Sequence, residues 1–142
     1  MTVRANNTRD IVDRLKRFFD AHVGDDLACA YLFGSLARGS EHAHSDVDVA
    51  VLAHKDPKSR DDALRLDLAD KLEAVLSRPV DLVVLHQAPV DLVHRVLRDG
   101  ILVSEKDRSK RVQFEVRVRN EYFDLLPYLR QYRRSAANPI HE

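Results

Sequence analysis

Residues 46–52 read Asp-Val-Asp-Val-Ala-Val-Leu, an alternation of acid and valine that runs into unbroken apolar sequence. Side chains of a strand alternate between its two faces. The pattern therefore specifies a strand with Asp46 and Asp48 on one face and Val47, Val49 and Val51 on the other. A third acid, Asp81, interrupts a second strand-like run over residues 80–85. Carboxylates set into a sheet are costly unless charge or hydrogen bonds compensate them. Whatever the chain folds into must place these acids where something offsets that cost.

The surrounding sequence supplies a frame. Asn7 and Thr8 can cap a first helix, in which Ile11, Leu15, Phe18 and Phe19 make one apolar stripe. Gly24-Asp25-Asp26 ends it, and residues 27–33 form a short apolar run suited to a buried strand. Pro57 and Ser59 introduce a second helix, with Leu64, Leu68, Leu72, Val75 and Leu76 on one side, closed by Ser77-Arg78-Pro79. Pro89 opens another helix that carries Leu92, Val96 and Leu97 and stops at Asp99-Gly100. Residues 101–103 read as a short fourth strand.

Residues 107–134 satisfy two periods. Val112, Phe114, Val116 and Val118 alternate like a strand, whereas Phe114, Val118, Tyr122, Leu125 and Leu129 keep helical spacing. The stretch is too long for one strand, so a helix is expected, broken or kinked by Pro127 near Leu126. Residues 135–142 are expected to form a flexible tail. The sum is a single α/β domain over residues 1–134: a small mixed sheet of about four strands flanked by helices, with a C-terminal helical segment over 107–134.

At 142 residues, the chain has little to spare for a second substrate-binding domain. Its 23 basic and 23 acidic residues cancel. A neutral single domain with no basic arm argues against direct nucleic-acid binding. Lys and Arg nevertheless outnumber Asp and Glu by eight to four over residues 107–134, either a solvated helix face or an interaction surface. Cys29 is the only cysteine, which excludes an intrachain disulfide, and its apolar neighbours suit an inert thiol. No apolar leader or membrane span is evident, so the expected location is cytoplasmic, away from membranes.

Gly34-Ser35 stands at the exit of the first strand. Glycine allows close backbone approach to a phosphate, the following amides can bind anions, and Ser35 adds a hydroxyl donor. Mg²⁺ would relieve repulsion among the aspartates, since it takes hard oxygen ligands through one or two carboxylates plus substrate phosphates. Taken singly, Asp46 and Asp48 suit a turn or strand edge equally well. A glycine-serine pair, ten intervening residues, an Asp-x-Asp and a third acid on a later strand form a far more specific constellation.

Arg38 has two readings, a bidentate phosphate donor or a surface ion pair with Glu41 or Asp46. His42 and His44 beside the acids offer a zinc set, disfavoured because nothing fixes the imidazole geometry. The remaining histidines read as surface residues or helix-end caps. Tyr122, Tyr128 and Tyr132 read as core aromatics. Alternatively they join Arg117, Arg119, Arg130, Arg133 and Arg134 in a partner-facing surface.

Gly34-Ser35 with Asp46-Val47-Asp48 resembles the signature of DNA polymerase beta-type nucleotidyltransferases, and Asp81 stands where that superfamily places its third carboxylate. Leu-Phe-Gly-Ser-Leu-Ala-Arg-Gly with Ser-Asp-Val-Asp-Val-Ala-Val is similar to the minimal nucleotidyltransferases. The C-terminal part, with Tyr-Phe-Asp-Leu-Leu-Pro-Tyr-Leu, resembles antitoxins of the MntA type. The resemblance implies transfer of AMP from ATP to a tyrosine of a HEPN-family ribonuclease toxin, which the antitoxin also binds. For that reaction the expected mechanism is in-line displacement with two Mg²⁺ ions on Asp46, Asp48 and Asp81, and with Gly34, Ser35 and Arg38 on the nucleotide. Two alternatives stay open: an antitoxin that blocks its toxin sterically, and a small-molecule nucleotidyltransferase.

Overall fold

The computed structural model describes residues 7–21, 26–39, 46–54 and 62–137. Helix α1 (Thr8–Ala21) leads into strand β1 (Leu27–Phe33) and the single turn α2 (Gly34–Ala37). Strand β2 (Val47–Ala53), helix α3 (Asp62–Leu76) and strand β3 (Val80–Val84) follow. Helix α4 (Val90–Asp99), strand β4 (Ile101–Glu105) and helix α5 (Arg108–Ala137) complete the chain. The order across the sheet is β3-β2-β1-β4. β2 and β3 are parallel, and β1 is antiparallel to both of its neighbours. The fold is thus the expected α/β arrangement, a mixed four-stranded sheet flanked by helices with a C-terminal helix.

Alternation along β2 divides the core in two. Val47, Val49 and Val51 join Leu32, Leu82 and Val84 beneath α1 and α3, whose stripes contribute Ile11, Leu15, Leu68 and Leu72. Ala50 and Leu52 face the other way, with Tyr31, against Val93 and Val96 of α4 and Phe114 and Val118 of α5. Burying such side chains contributes roughly 1.5–3 kcal/mol each, so β2 is pinned from both faces. Capping follows the sequence: the Asp10 N–H donates to Asn7 Oδ1 at 2.8 Å, and the Lys110 N–H to Asp107 Oδ1 at 3.0 Å. Among the described residues, no helix is long and apolar enough to cross a membrane.

Several expectations need correction. The strand-like run over residues 80–85 ends as a strand at Val84, and Leu85–Gln87 form a 3₁₀ turn. Pro57 and Ser59 lie outside the described residues. Helix α5 runs through Pro127 to Ala137, so the break near Leu126 is not found and residues 135–137 of the expected tail are helical, while residues 138–142 lie outside the described residues. Proline deprives the carbonyl four residues earlier of its partner. That residue, Phe123, is 60% exposed, where water can replace the lost donor. Tyr122 is buried as a core aromatic, but Tyr128 and Tyr132 are 70% and 74% exposed. His86 and His94 are not plain surface residues. His86 meets the Phe114 ring edge-on, and His94 stacks on Tyr122 with centroids 3.5 Å apart.

A polar cluster fastens α5 to the sheet. The buried Tyr31 hydroxyl donates to Glu115 Oε1 at 2.6 Å, and Arg111 Nη1 donates to the same oxygen at 2.8 Å. Arg111 Nε also donates to Glu105 Oε2 at 2.6 Å. Burial and the bond to Glu115 raise the Tyr31 pKa, keeping the hydroxyl a donor. Glu115→Ala would strand both donors and is expected to cost roughly 2–4 kcal/mol, against about 1 kcal/mol for Tyr31→Phe. Urea unfolding checks this, and a Glu115→Ala loss below about 0.5 kcal/mol would show the cluster to be incidental.

Candidate active site

The chain leaves β1 at Phe33, which faces Asp48 across the antiparallel ladder. The next residue, Gly34, has φ +76°, and a β-carbon built there would fall onto the Asp48 carboxylate. Glycine is required here twice, for the left-handed backbone and for the space the carboxylate fills. On its other side Asp48 stands in register with Asp81 of β3. Parallel pairing puts in-register side chains on one face, so Asp48 and Asp81 share the face carrying Ala50 and Val83. Asp46 is exposed just ahead of β2.

Asp48 is half-buried between these neighbours. Its pKa is pushed up to about 6, first by burial and then by the charges of Asp81 and Asp46, with Arg38 working against them. Arg38 is exposed at the end of α2. Ser35 is half-buried in α2, a turn secured from outside by Thr8, whose hydroxyl donates to the Leu36 carbonyl at 2.8 Å. The sequence marked Thr8 only as a cap. A contact spanning 28 positions leaves no local signal.

Among the described residues, no three His, Cys, Asp or Glu side chains form a cage ready for an ion. The aspartates act on one another electrostatically without enclosing a point. Such an open set of hard oxygen donors fits Mg²⁺, which binds through few carboxylates and takes its remaining ligands from substrate phosphates and water. His42 and His44 lie outside the described residues. Cys29 is buried, with its thiol pKa pushed up to about 12 by burial, which makes it unreactive.

An Asp pair matched across two strands, beside a glycine turn on a small mixed sheet, defines a nucleotidyltransferase fold. The chain belongs to the polymerase beta nucleotidyltransferase family, whose profile matches residues 13–109. It is similar to the protein adenylyltransferase MntA of Shewanella oneidensis, with 42% identity over 74 residues, 52% of this chain and 51% of that one. By sequence, the match thus spans about half the length of the curated relative. Similarity to solved structures extends further. A toxin–antitoxin with AMP-PNP superposes with a TM-score of 0.74 at 28% identity, covering 89% of this chain and 98% of the other. The toxin–antitoxin MntA-HepT gives 0.69 at 25% identity, covering 92% and 99%.

Proposed function

We propose that this protein is an antitoxin that transfers AMP from ATP to a tyrosine of a HEPN-family toxin and so neutralises it. One observation carries the reading: Asp48 stands in register with Asp81 and against Gly34, with its pKa raised toward neutrality. An arrangement that crowds carboxylates at the cost of stability makes sense where cations are to be bound. Similarity to a protein adenylyltransferase and to a toxin–antitoxin with AMP-PNP supports AMP as the group transferred.

Asp46 and Asp48 would hold two Mg²⁺ ions, with Asp81 completing the set on the acceptor's side. Bound there, Mg²⁺ would offset charge building on the triphosphate and favour the phenolate form of the acceptor tyrosine. The acceptor oxygen attacks the α-phosphorus in line, the bond to the β-phosphate bridging oxygen breaks, and pyrophosphate departs. A tyrosine hydroxyl with a pKa of about 10 must lose its proton, and Asp81 would accept it. The Gly34 and Ser35 amides and the Ser35 hydroxyl would hold the departing phosphates, while Arg38 would donate to the triphosphate. We place this activity in the cytoplasm, where ATP is available.

The test combines the protein, Mg²⁺, the product of the neighbouring gene and ATP labelled at the α-phosphate. Label should move to a toxin tyrosine, and Asp46→Ala with Asp48→Ala should abolish transfer. Label carried equally by ATP labelled only at the γ-phosphate would refute nucleotidyl transfer. The steric alternative has one observation in its favour: Phe123, Tyr128 and Tyr132 leave the far half of α5 rich in exposed aromatics. Full neutralisation by the double variant, with no transfer by the unaltered protein, would establish that reading instead.

A further inference from the structure

Strand β3 is an outer strand of the sheet, and among the described residues no strand pairs with its far side. Successive residues of a strand turn their backbone groups to alternate sides. The Val47 N–H donates to the Pro79 carbonyl at 2.9 Å, so Pro79, Asp81 and Val83 turn theirs toward β2. Val80, Leu82 and Val84 therefore turn theirs outward. The Val80 N–H donates to Glu73 Oε1 at 3.0 Å, which closes the edge at one end. Beyond it, Leu82, Val83 and Val84 line a groove of about 370 Å³ whose floor includes Ala88, Pro89 and Leu92. This groove begins one residue from Asp81.

We propose that the acceptor enters as an extended peptide that adds a strand to the outer edge of β3, its hydroxyl-bearing residue in register with Asp81. The inference rests on the transfer reading above and names how its substrate is recognised. A small molecule would want an enclosed cleft, whereas a strand edge unpaired among the described residues, bordering an open groove that Arg65 and Gln87 make partly polar, suits main-chain recognition. Added strands lie about 4.8 Å from their neighbours, and in-register side chains share a face. A residue opposite Asp81 thus projects onto the face shared by Asp48 and Asp81. Its neighbour two positions away falls opposite Val83, over Ala88, Pro89 and Leu92. The substrate class is an extended segment with a tyrosine hydroxyl, an apolar residue two positions from it, and free amides at alternate positions.

The test uses the full chain with Mg²⁺-ATP and a short synthetic peptide centred on the partner residue that becomes labelled. N-methylation is scanned along the peptide backbone. Methylation at every second position should lower kcat/KM at least about tenfold, with intervening positions near unity. Gln87→Trp, which fills the groove from an exposed site, should raise KM for the peptide about tenfold while ATP affinity is unchanged. Transfer without alternation in the scan, transfer indifferent to Gln87→Trp, or transfer to the folded partner but never to the peptide would each overturn strand addition and leave nucleotidyl transfer standing. Absence of label on any protein would overturn both.

Discussion

Asp48→Asn is expected to give a protein that is harder to unfold and unable to transfer a nucleotide. Burial and the charges of Asp81 and Asp46 lift the Asp48 pKa to about 6 in the folded state, against about 3.9 in an unfolded chain. A raised carboxyl pKa means that folding disfavours the charged form. The penalty is absent below the unfolded value, grows as pH rises between the two, and is complete above about 6. Two units correspond to about 3 kcal/mol. Since the side chain is only half-buried, solvent screening brings this to about 1–2 kcal/mol.

Near pH 7.5, the asparagine variant should therefore melt a few degrees higher. The gap should narrow as pH falls toward 5, because the native aspartate takes up its proton there. Transfer should fall roughly a thousandfold, the scale of losing several kcal/mol of metal-assisted charge stabilisation. Mg²⁺ with ATP should raise the melting temperature of the native protein but not of the variant. Calorimetry across this pH range decides the matter. A variant less stable than the native protein at pH 7.5 would mean that Asp48 serves the fold.

Gly34→Ala should lower both quantities. Alanine at φ +76° carries a backbone cost of about 1–2 kcal/mol. Its β-carbon would also claim the place of the Asp48 carboxylate and displace that group from its position beside Asp81. We expect a total cost of roughly 2–4 kcal/mol and at least a hundredfold loss of transfer, since small misplacements at a reacting centre are that severe. Combining Gly34→Ala with Asp48→Ala removes the collision but not the backbone strain. The double variant should recover part of the lost stability, a coupling measurable by a double-mutant cycle. Strict additivity, or a fully active Gly34→Ala protein, would refute the proposed contact.

Much of the candidate site was legible in the sequence because its elements are local. The alternation at 46–52 put Asp48 opposite the valines, and the breakers around residues 27–33 placed Gly34 and Ser35 at a strand exit. Other features had no such signal. Pro127 argued for a break that solvent exposure makes unnecessary. Tyr128 and Tyr132 share the helical register of Tyr122, yet Tyr122 is buried against His94 on another helix while they are exposed. Tyr31 looked like one more apolar strand residue, although Glu115, 84 positions away, holds its hydroxyl.

Local period and breakers were enough to mark the strands and helices, and the residue types at the strand exits, because these signals act over a few residues. Long-range packing settled that β2 lies parallel to β3 with Asp48 against Asp81, and that β3 is an outer strand with no strand on its far side among the described residues. Strand order and register arise from packing two apolar faces against helices distant in the chain, and no short window of residues encodes that choice.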